Sequence, residues 1–226
     1  ERPGCIGLAT SGELLLVLAK SLHRADLDAA LASEDAPLRL ATLGEAEPGK
    51  PGTQSTAGRA DRHGNFVFGT MDESAEKSPI GAFYQYSAAH GLRRLPLPGA
   101  AIPNSICFSR DGRTLYWCDS LQPYIQCCDY DPDAAATGPS RVFARVEPGH
   151  AAADGSCIDA EGGLWNAQWG AARVVRHGAD PLSARSALGY VLGARGFALL
   201  IWWFAGDAKL GAVVAGGFLG AFGLFA

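Results

Sequence analysis

Residues 106–117 read ICFSRDGRTLYW: an apolar run, a polar turn that contains Gly112, and a second run of β-forming residues. This pattern is typical of two antiparallel strands joined by a tight turn, in which a glycine can adopt the positive φ that the turn requires. We therefore predict a β-hairpin here. The same pattern elsewhere in the chain determines the predicted fold.

The hairpin pattern occurs three more times, in residues 6–17, 58–69 and 156–165. The four turn glycines are about 50 residues apart, at Gly12, Gly64, Gly112 and Gly162. A repeat of this length built from short strands is typical of a β-propeller blade, which has four strands. The outer strands that follow the second and third hairpins are expected in residues 81–86, 92–95, 124–131 and 141–143.

The composition of the 226-residue chain agrees with a β-rich globular protein, with 29 Gly, 48% hydrophobic and 19% charged residues. A net charge of −4 with scattered basic residues excludes a nucleic-acid-binding surface. The six cysteines form no Cys-x-x-Cys pair, which argues against a zinc knuckle, and they are expected to be reduced thiols of a cytoplasmic protein. The opening residues lack a secretory pattern. Residues 24–33 are predicted to be either the one helix of the chain or a loop in an expanded blade.

The repeat pattern ends near residue 180, which divides the chain into blades in residues 1–180 and an apolar, Gly-rich tail in residues 181–226. The last seventeen residues carry no charge, close to the length of a membrane span. Three interpretations remain open: a membrane-associated hairpin, an aberrant tail, or an unusual buried blade. We predict that the tail is not a regular blade. We also predict that deleting residues 188–226 leaves the geometry of two candidate site residues, Asn104 and Asp154, intact.

Residues 101–120 and 153–170 resemble the gluconolactonase, regucalcin (senescence marker protein) and luciferin-regenerating family. The sequences NSI at residues 104–106 and WNAQWG at residues 165–170 are most similar to bacterial sugar-acid lactonases of the arabinonolactonase kind. The resemblance implies an all-β, six-bladed β-propeller of the lactonase type. Six blades would need about 300 residues, so this propeller is predicted to be incomplete at both ends.

The resemblance also implies one divalent metal ion (Ca, Zn, Mn, Mg or Fe) at the mouth of a central channel. The family's Asn and Asp ligands correspond to Asn104 and Asp154, which lie 50 residues apart on consecutive blades (154−104). Asp154 is also the candidate general base, because a carboxylate beside a metal can take a proton from water. On spacing alone, both residues could instead be ordinary turn formers. The family's third ligand, a Glu of an earlier blade, is not assigned to any residue here.

The family's substrate-binding stretch Arg-x-Asn-Asp-Gly reads Gln-Ser-Thr-Ala-Gly in residues 54–58. Gln54 thus stands in place of the Arg and Thr56 in place of the Asn, and both could still form hydrogen bonds with sugar hydroxyls. His150, four residues before Asp154, is a further candidate for substrate contact.

These residues predict the metal-dependent hydrolysis of sugar-acid lactones, that is, the opening of pentono- or hexonolactone rings. The alternative is a non-catalytic metal- or ligand-binding propeller of the regucalcin type, which the loss of the Arg and Asn favours. The expected partner is a small sugar lactone, and the expected state is a monomer or weak dimer. Membrane association through the tail is the alternative to a cytoplasmic location.

Overall fold

The computed structural model describes residues 2–32, 38–147 and 151–178, and these ranges contain sixteen β-strands and one short α-helix. The strands form four antiparallel sheets that follow one another along the chain. We call them sheets 1 to 4. They confirm the predicted all-β class, and each begins with one of the four predicted hairpins.

Strands that follow each other in the sequence are neighbours in each sheet. Sheet 1 comprises β1 (Pro3–Leu8), β2 (Glu13–Leu18), β3 (Ser21–Asp26) and β4 (Ala41–Glu45). Sheet 2 comprises β5 (Thr53–Ala60), β6 (Phe66–Asp72), β7 (Phe83–Ser87) and β8 (Gly91–Arg94).

Sheet 3 comprises β9 (Pro103–Phe108), β10 (Thr114–Asp119), β11 (Tyr124–Asp131), β12 (Ala136–Thr137) and β13 (Arg141–Arg145), the last two both pairing with β11. Sheet 4 comprises β14 (Ala152–Ile158), β15 (Leu164–Trp169) and β16 (Arg173–His177). Sheets 1 and 2 therefore have the predicted four strands per repeat. Sheet 3 has one more, and sheet 4 has three within the described ranges.

The first strands of the four sheets, β1, β5, β9 and β14, contact one another in that order. Apolar side chains fill the spaces between consecutive sheets. Between sheets 2 and 3, the rings of Phe83 and Trp117 meet edge to face with their centroids 5.1 Å apart. The sheets are therefore held together by buried apolar area, which is the main favourable contribution to folding.

The single described helix, α1 (Leu27–Ala32), begins later than predicted. Arg24 to Asp26 belong to β3, because this segment pairs with β2. The carboxylate of Asp26 accepts a hydrogen bond from the Ala29 N–H at 3.0 Å and so caps the start of the helix. No described helix is long and apolar enough to cross a bilayer. The predictions for residues 181–226 lie outside the described residues.

The four turn glycines have positive φ, as predicted, at Gly12 (85°), Gly64 (85°), Gly112 (70°) and Gly162 (83°). Their surroundings differ. A Cβ at Gly112 would lie 2.6 Å from Cε1 of His63 and 3.0 Å from Cβ of Arg62, whereas a Cβ at Gly64 would meet nothing within 4 Å. The third hairpin turn is thus packed against the second.

This difference predicts unequal costs for the same substitution. Gly64→Ala should lower the free energy of unfolding by about 1–2 kcal/mol, the cost of a left-handed backbone at an L residue. Gly112→Ala should cost more, because the side chain of His63 must also move. Urea unfolding of both variants measures the difference, and equal losses would contradict the packing of the two turns.

The β14–β15 turn is closed by the Asp159 carboxylate. It accepts hydrogen bonds from the Gly163 N–H (2.8 Å), Trp165 Nε1 (2.8 Å) and Arg176 Nε (2.7 Å). Burial acts to raise the pKa of Asp159, but the hydrogen bonds from Arg176, Trp165 and Gly163 and the charge of Arg176 outweigh it and lower the pKa to about 2. Asp159 therefore favours the fold in its ionised form.

A carboxyl whose pKa is lower in the folded state than the usual value near 3.9 stabilises the fold above that value. This stabilisation is lost as the pH falls towards about 2, the folded-state pKa of Asp159. Asp159→Asn should therefore be less stable than the wild type at neutral pH, and the gap should close between about pH 4 and pH 2. Urea unfolding at a series of pH values tests this. A gap that does not change with pH would contradict it.

Candidate functional site

Thr56, Asn104 and Asp154 occupy equivalent places on three consecutive first strands. Each lies eight residues before the turn glycine of its hairpin. The strand pairing is irregular at all three places: between Ser55 and Gly58, between Asn104 and Cys107, and between Ala153 and Ser156. Such bulges redirect side chains and occur often beside functional sites. The local backbone therefore sets these side chains apart from the regular alternation.

The side chain of Asn104 is oriented by the boundary between sheets 3 and 4. Its Nδ2 donates to Oγ of Ser120 at 3.1 Å, and that hydroxyl donates to the carbonyl of Ala153 at 2.6 Å. Since the nitrogen is engaged, Oδ1 is the free end of the amide, and it accepts no hydrogen bond from another described residue. An amide oxygen in this state can act as a ligand for a cation.

The Asp154 carboxylate is half-buried, and no Lys, Arg or His in the described ranges forms an ion pair with it. Burial raises the pKa of this carboxyl, and a hydrogen bond from the backbone N–H of Gly155 offsets the increase only in part. A nearby positive charge would favour the ionised form and reverse the shift. The arrangement thus leaves a carboxylate that a cation would stabilise.

The two candidate ligands lie on adjoining stretches of backbone. Ser105, which follows Asn104, donates through Oγ to the carbonyl of Asp154 at 2.7 Å. The same hydroxyl accepts from Ser156 Oγ at 3.0 Å and from Asn166 Nδ2 at 3.1 Å. Asn166 is fully buried, and its Nδ2 is also 3.2 Å from the carbonyl of Asp154 and 3.3 Å from that of Gly155.

No role was predicted from the sequence for this polar cluster of Ser105, Ser156 and Asn166. One signal was present: Asn166 is a polar residue in the middle of a strand otherwise rich in apolar and aromatic residues. Its Oδ1 has no hydrogen-bond partner among the described residues. Buried polar groups of this kind require an explanation, and proximity to a functional site is a common one.

The other predicted site residues are less tightly linked to this pair. Gln54 and Thr56 are half-buried on β5, the neighbouring first strand, and Gln54 Nε2 lies 3.7 Å from Sδ of Met71. No described hydrogen bond joins either residue to Asn104 or Asp154. His150 lies outside the described residues. Substrate contact by these three residues stays a prediction.

The donor chemistry of the pair fits a divalent metal, but the number of donors does not complete a site. Asn104 Oδ1 and the Asp154 carboxylate are oxygen ligands of the kind that Ca²⁺, Mg²⁺ and Mn²⁺ prefer. Ca²⁺ takes about 6–8 oxygens, so further ligands would be needed. Within the described part of the chain, no group of three or more His, Cys, Asp or Glu side chains could hold a metal ion.

Comparisons with known proteins agree with the repeat pattern and the fold. Residues 1–183 match the model of the "SMP-30/Gluconolactonase/LRE-like region". The chain is 44% identical over 182 residues to the L-arabinolactonase of Azospirillum brasilense, which covers 80% of this chain and 57% of that protein.

Two solved structures are similar. The first is a calcium-binding protein, regucalcin, from Agrobacterium tumefaciens, with a TM-score of 0.68 and 28% identity, covering 79% of this chain and 57% of that one. The second is a luciferin-regenerating enzyme, with a TM-score of 0.69 and 25% identity, covering 79% and 60%.

The chain spans about half the length of the curated relatives that it matches. The family match, in contrast, extends over most of the chain and includes all four sheets. It also includes the two stretches whose motifs suggested the resemblance. The chain belongs to the SMP-30/gluconolactonase/LRE-like family.

Proposed function

We propose that the chain serves the metal-dependent hydrolysis of sugar-acid lactones, with Asn104 and Asp154 as metal ligands. The observation that carries this proposal is the half-buried Asp154 carboxylate, which has a raised pKa and no cationic partner in the described ranges. Its strand contacts β9, the strand that carries Asn104, whose amide oxygen is free. The similarity to an L-arabinolactonase supports a pentonolactone or hexonolactone as substrate.

A divalent metal bound by this pair would polarise the lactone carbonyl and lower the pKa of a water molecule. The chain's own residues would do the rest. Asp154 would accept the proton of the attacking water, because a carboxylate beside the metal-bound water can take its proton. Gln54 and Thr56 on β5, together with His150, would form hydrogen bonds with the sugar hydroxyls.

The proposal includes the setting of the site. The four described sheets would form part of a six-bladed propeller in residues 1–180, with residues 181–226 as a separate tail. Ca, Zn, Mn, Mg and Fe all remain candidates for the metal. A cytoplasmic location is supported by the six cysteines, all of which are free. The state of a monomer or weak dimer stays a prediction.

A second candidate function is metal or ligand binding without catalysis. It is favoured by the lack, in the described ranges, of any group of three or more His, Cys, Asp or Glu side chains that could hold a metal, and by Gln54 and Thr56 where the family has Arg and Asn. The similar structure from Agrobacterium tumefaciens is described as a calcium-binding protein. This candidate predicts metal binding without lactone turnover.

Hydrolysis assays with the 226-residue chain separate the two functions. With Mn²⁺, Ca²⁺ or Zn²⁺ added, we expect hydrolysis of arabinonolactone or gluconolactone above the spontaneous rate, and EDTA should remove the excess. Calorimetry with the same metals measures binding. Binding without turnover would favour the second candidate, whereas turnover that EDTA does not affect would contradict the metal-dependent mechanism.

A further inference from the structure

Ser105 has a backbone conformation that its residue type does not favour. It is fully buried, and its φ is 58°, in the left-handed region that glycine adopts without strain. A glycine would fit this backbone better. The serine side chain must therefore contribute something that glycine lacks, and strained residues of this kind cluster at functional sites.

The hydroxyl of Ser105 uses its full hydrogen-bonding capacity across the boundary between sheets 3 and 4. It donates one bond, to the carbonyl of Asp154, and accepts two, from Ser156 and Asn166. All three partners lie in sheet 4, on the bulge or directly beside it. A side chain of sheet 3 thus holds the irregular backbone of sheet 4.

Asn166 holds the same bulge from within sheet 4. Its two Nδ2 hydrogens are shared among four acceptors: the hydroxyls of Ser105 and Ser156, and the carbonyls of Asp154 and Gly155, the two residues that lack regular pairing. The backbone carbonyls of Asp154 and Gly155 therefore have side chains as hydrogen-bond partners in place of a neighbouring strand. With its main chain fixed in this way, the carboxylate of Asp154 has few directions open to it.

We propose that Ser105 is a positioning residue, which fixes the bulge at Asp154 and Gly155 and so directs the Asp154 carboxylate towards the metal ion that it would bind. This inference rests on the proposed function, since it assigns Ser105 a role in the same site. It differs from a merely structural role in one respect. Removing the hydroxyl together with the backbone strain should weaken metal binding and turnover without weakening the fold.

Ser105→Gly is the decisive variant, because glycine removes the hydroxyl and the strain together. We expect its Mn²⁺ dissociation constant to rise about tenfold and kcat for lactone hydrolysis to fall about tenfold, with KM nearly unchanged. Its urea unfolding midpoint should equal or exceed that of the wild type. Ser105→Ala keeps the strained backbone and should show the same loss of Mn²⁺ affinity with a lower midpoint.

Ser87→Gly is the matched control. Ser87 is also buried, and its hydroxyl accepts a hydrogen bond from the Ala89 N–H at 3.2 Å, in sheet 2. Its Mn²⁺ affinity and kcat should remain at the wild-type values. Wild-type affinity and kcat in Ser105→Gly, or failure of that variant to fold, would overturn the positioning role. A wild-type chain that neither binds Mn²⁺ nor hydrolyses lactones would overturn the proposed function itself, and this inference with it.

Discussion

Asp154→Asn should lower lactone hydrolysis above the spontaneous rate by at least about 10²-fold and remove measurable binding of a divalent metal. The substitution keeps the size of the side chain but takes away the charge and the capacity to accept a proton. General base catalysis alone contributes about 10²–10⁴-fold to rates. Hydrolysis assays and calorimetry measure the two losses separately.

The same variant should be as stable as the wild type, or more stable, when no metal is bound. Burial raises the pKa of Asp154 in the folded state, so the folded state binds more protons than the unfolded state. The contribution of the Asp154 carboxyl to stability therefore falls as the pH rises from its pKa in the unfolded state to its pKa in the folded state. Above that range the ionised carboxylate disfavours folding. Asparagine has no such charge to bury.

Asp129→Asn is the matched control for this prediction. The Asp129 side chain is 80% exposed and lies 3.4 Å from Arg141 at the protein surface, where an ion pair contributes little. Its activity and metal binding should stay at wild-type levels. If Asp154→Asn kept full activity, Asp154 would not be the catalytic base.

The sheets could be predicted from the sequence to the extent that their patterns are local. The hairpins at Gly12, Gly64, Gly112 and Gly162 depend on short-range turn chemistry, and all four form. The outer part of sheet 1 was not predicted, because residues 21–26 show only weak alternation. This segment becomes a strand through its pairing with β2, which outweighs the weak preference of its own residues.

The candidate site, too, could be predicted from the sequence only in part. Asn104 and Asp154 were identified from motifs that resemble a family, and their roles stay predictions. Ser105 and Asn166 could not be identified, because their significance depends on a positive φ and on hydrogen bonds between residues 49 and 61 positions apart. Such contacts exist only once two sheets have packed together.

Trp117→Ala should cause the largest loss of stability among the changes considered, about 3–5 kcal/mol. The side chain is 1% exposed, and its ring meets Phe83 across the boundary between sheets 2 and 3. Alanine would leave a cavity there and remove an aromatic contact. A loss of this size is a large part of the 5–15 kcal/mol that stabilises a typical domain. The variant should unfold at a much lower urea concentration.

Two further tryptophan variants show whether burial of the ring is the cause. Trp117→Phe should cost far less than Trp117→Ala, because it keeps most of the apolar contact and removes an indole N–H that has no described partner. Trp169→Ala, at a side chain that is 55% exposed, should change the free energy of unfolding by no more than about 0.5 kcal/mol.

Trp117 also lies on β10 opposite the irregular stretch of β9 that contains Ser105, so its loss should weaken metal binding even in molecules that remain folded. A Trp117→Ala variant whose free energy of unfolding lay within about 1 kcal/mol of the wild type would show that the contact between sheets 2 and 3 contributes little to the stability of the fold.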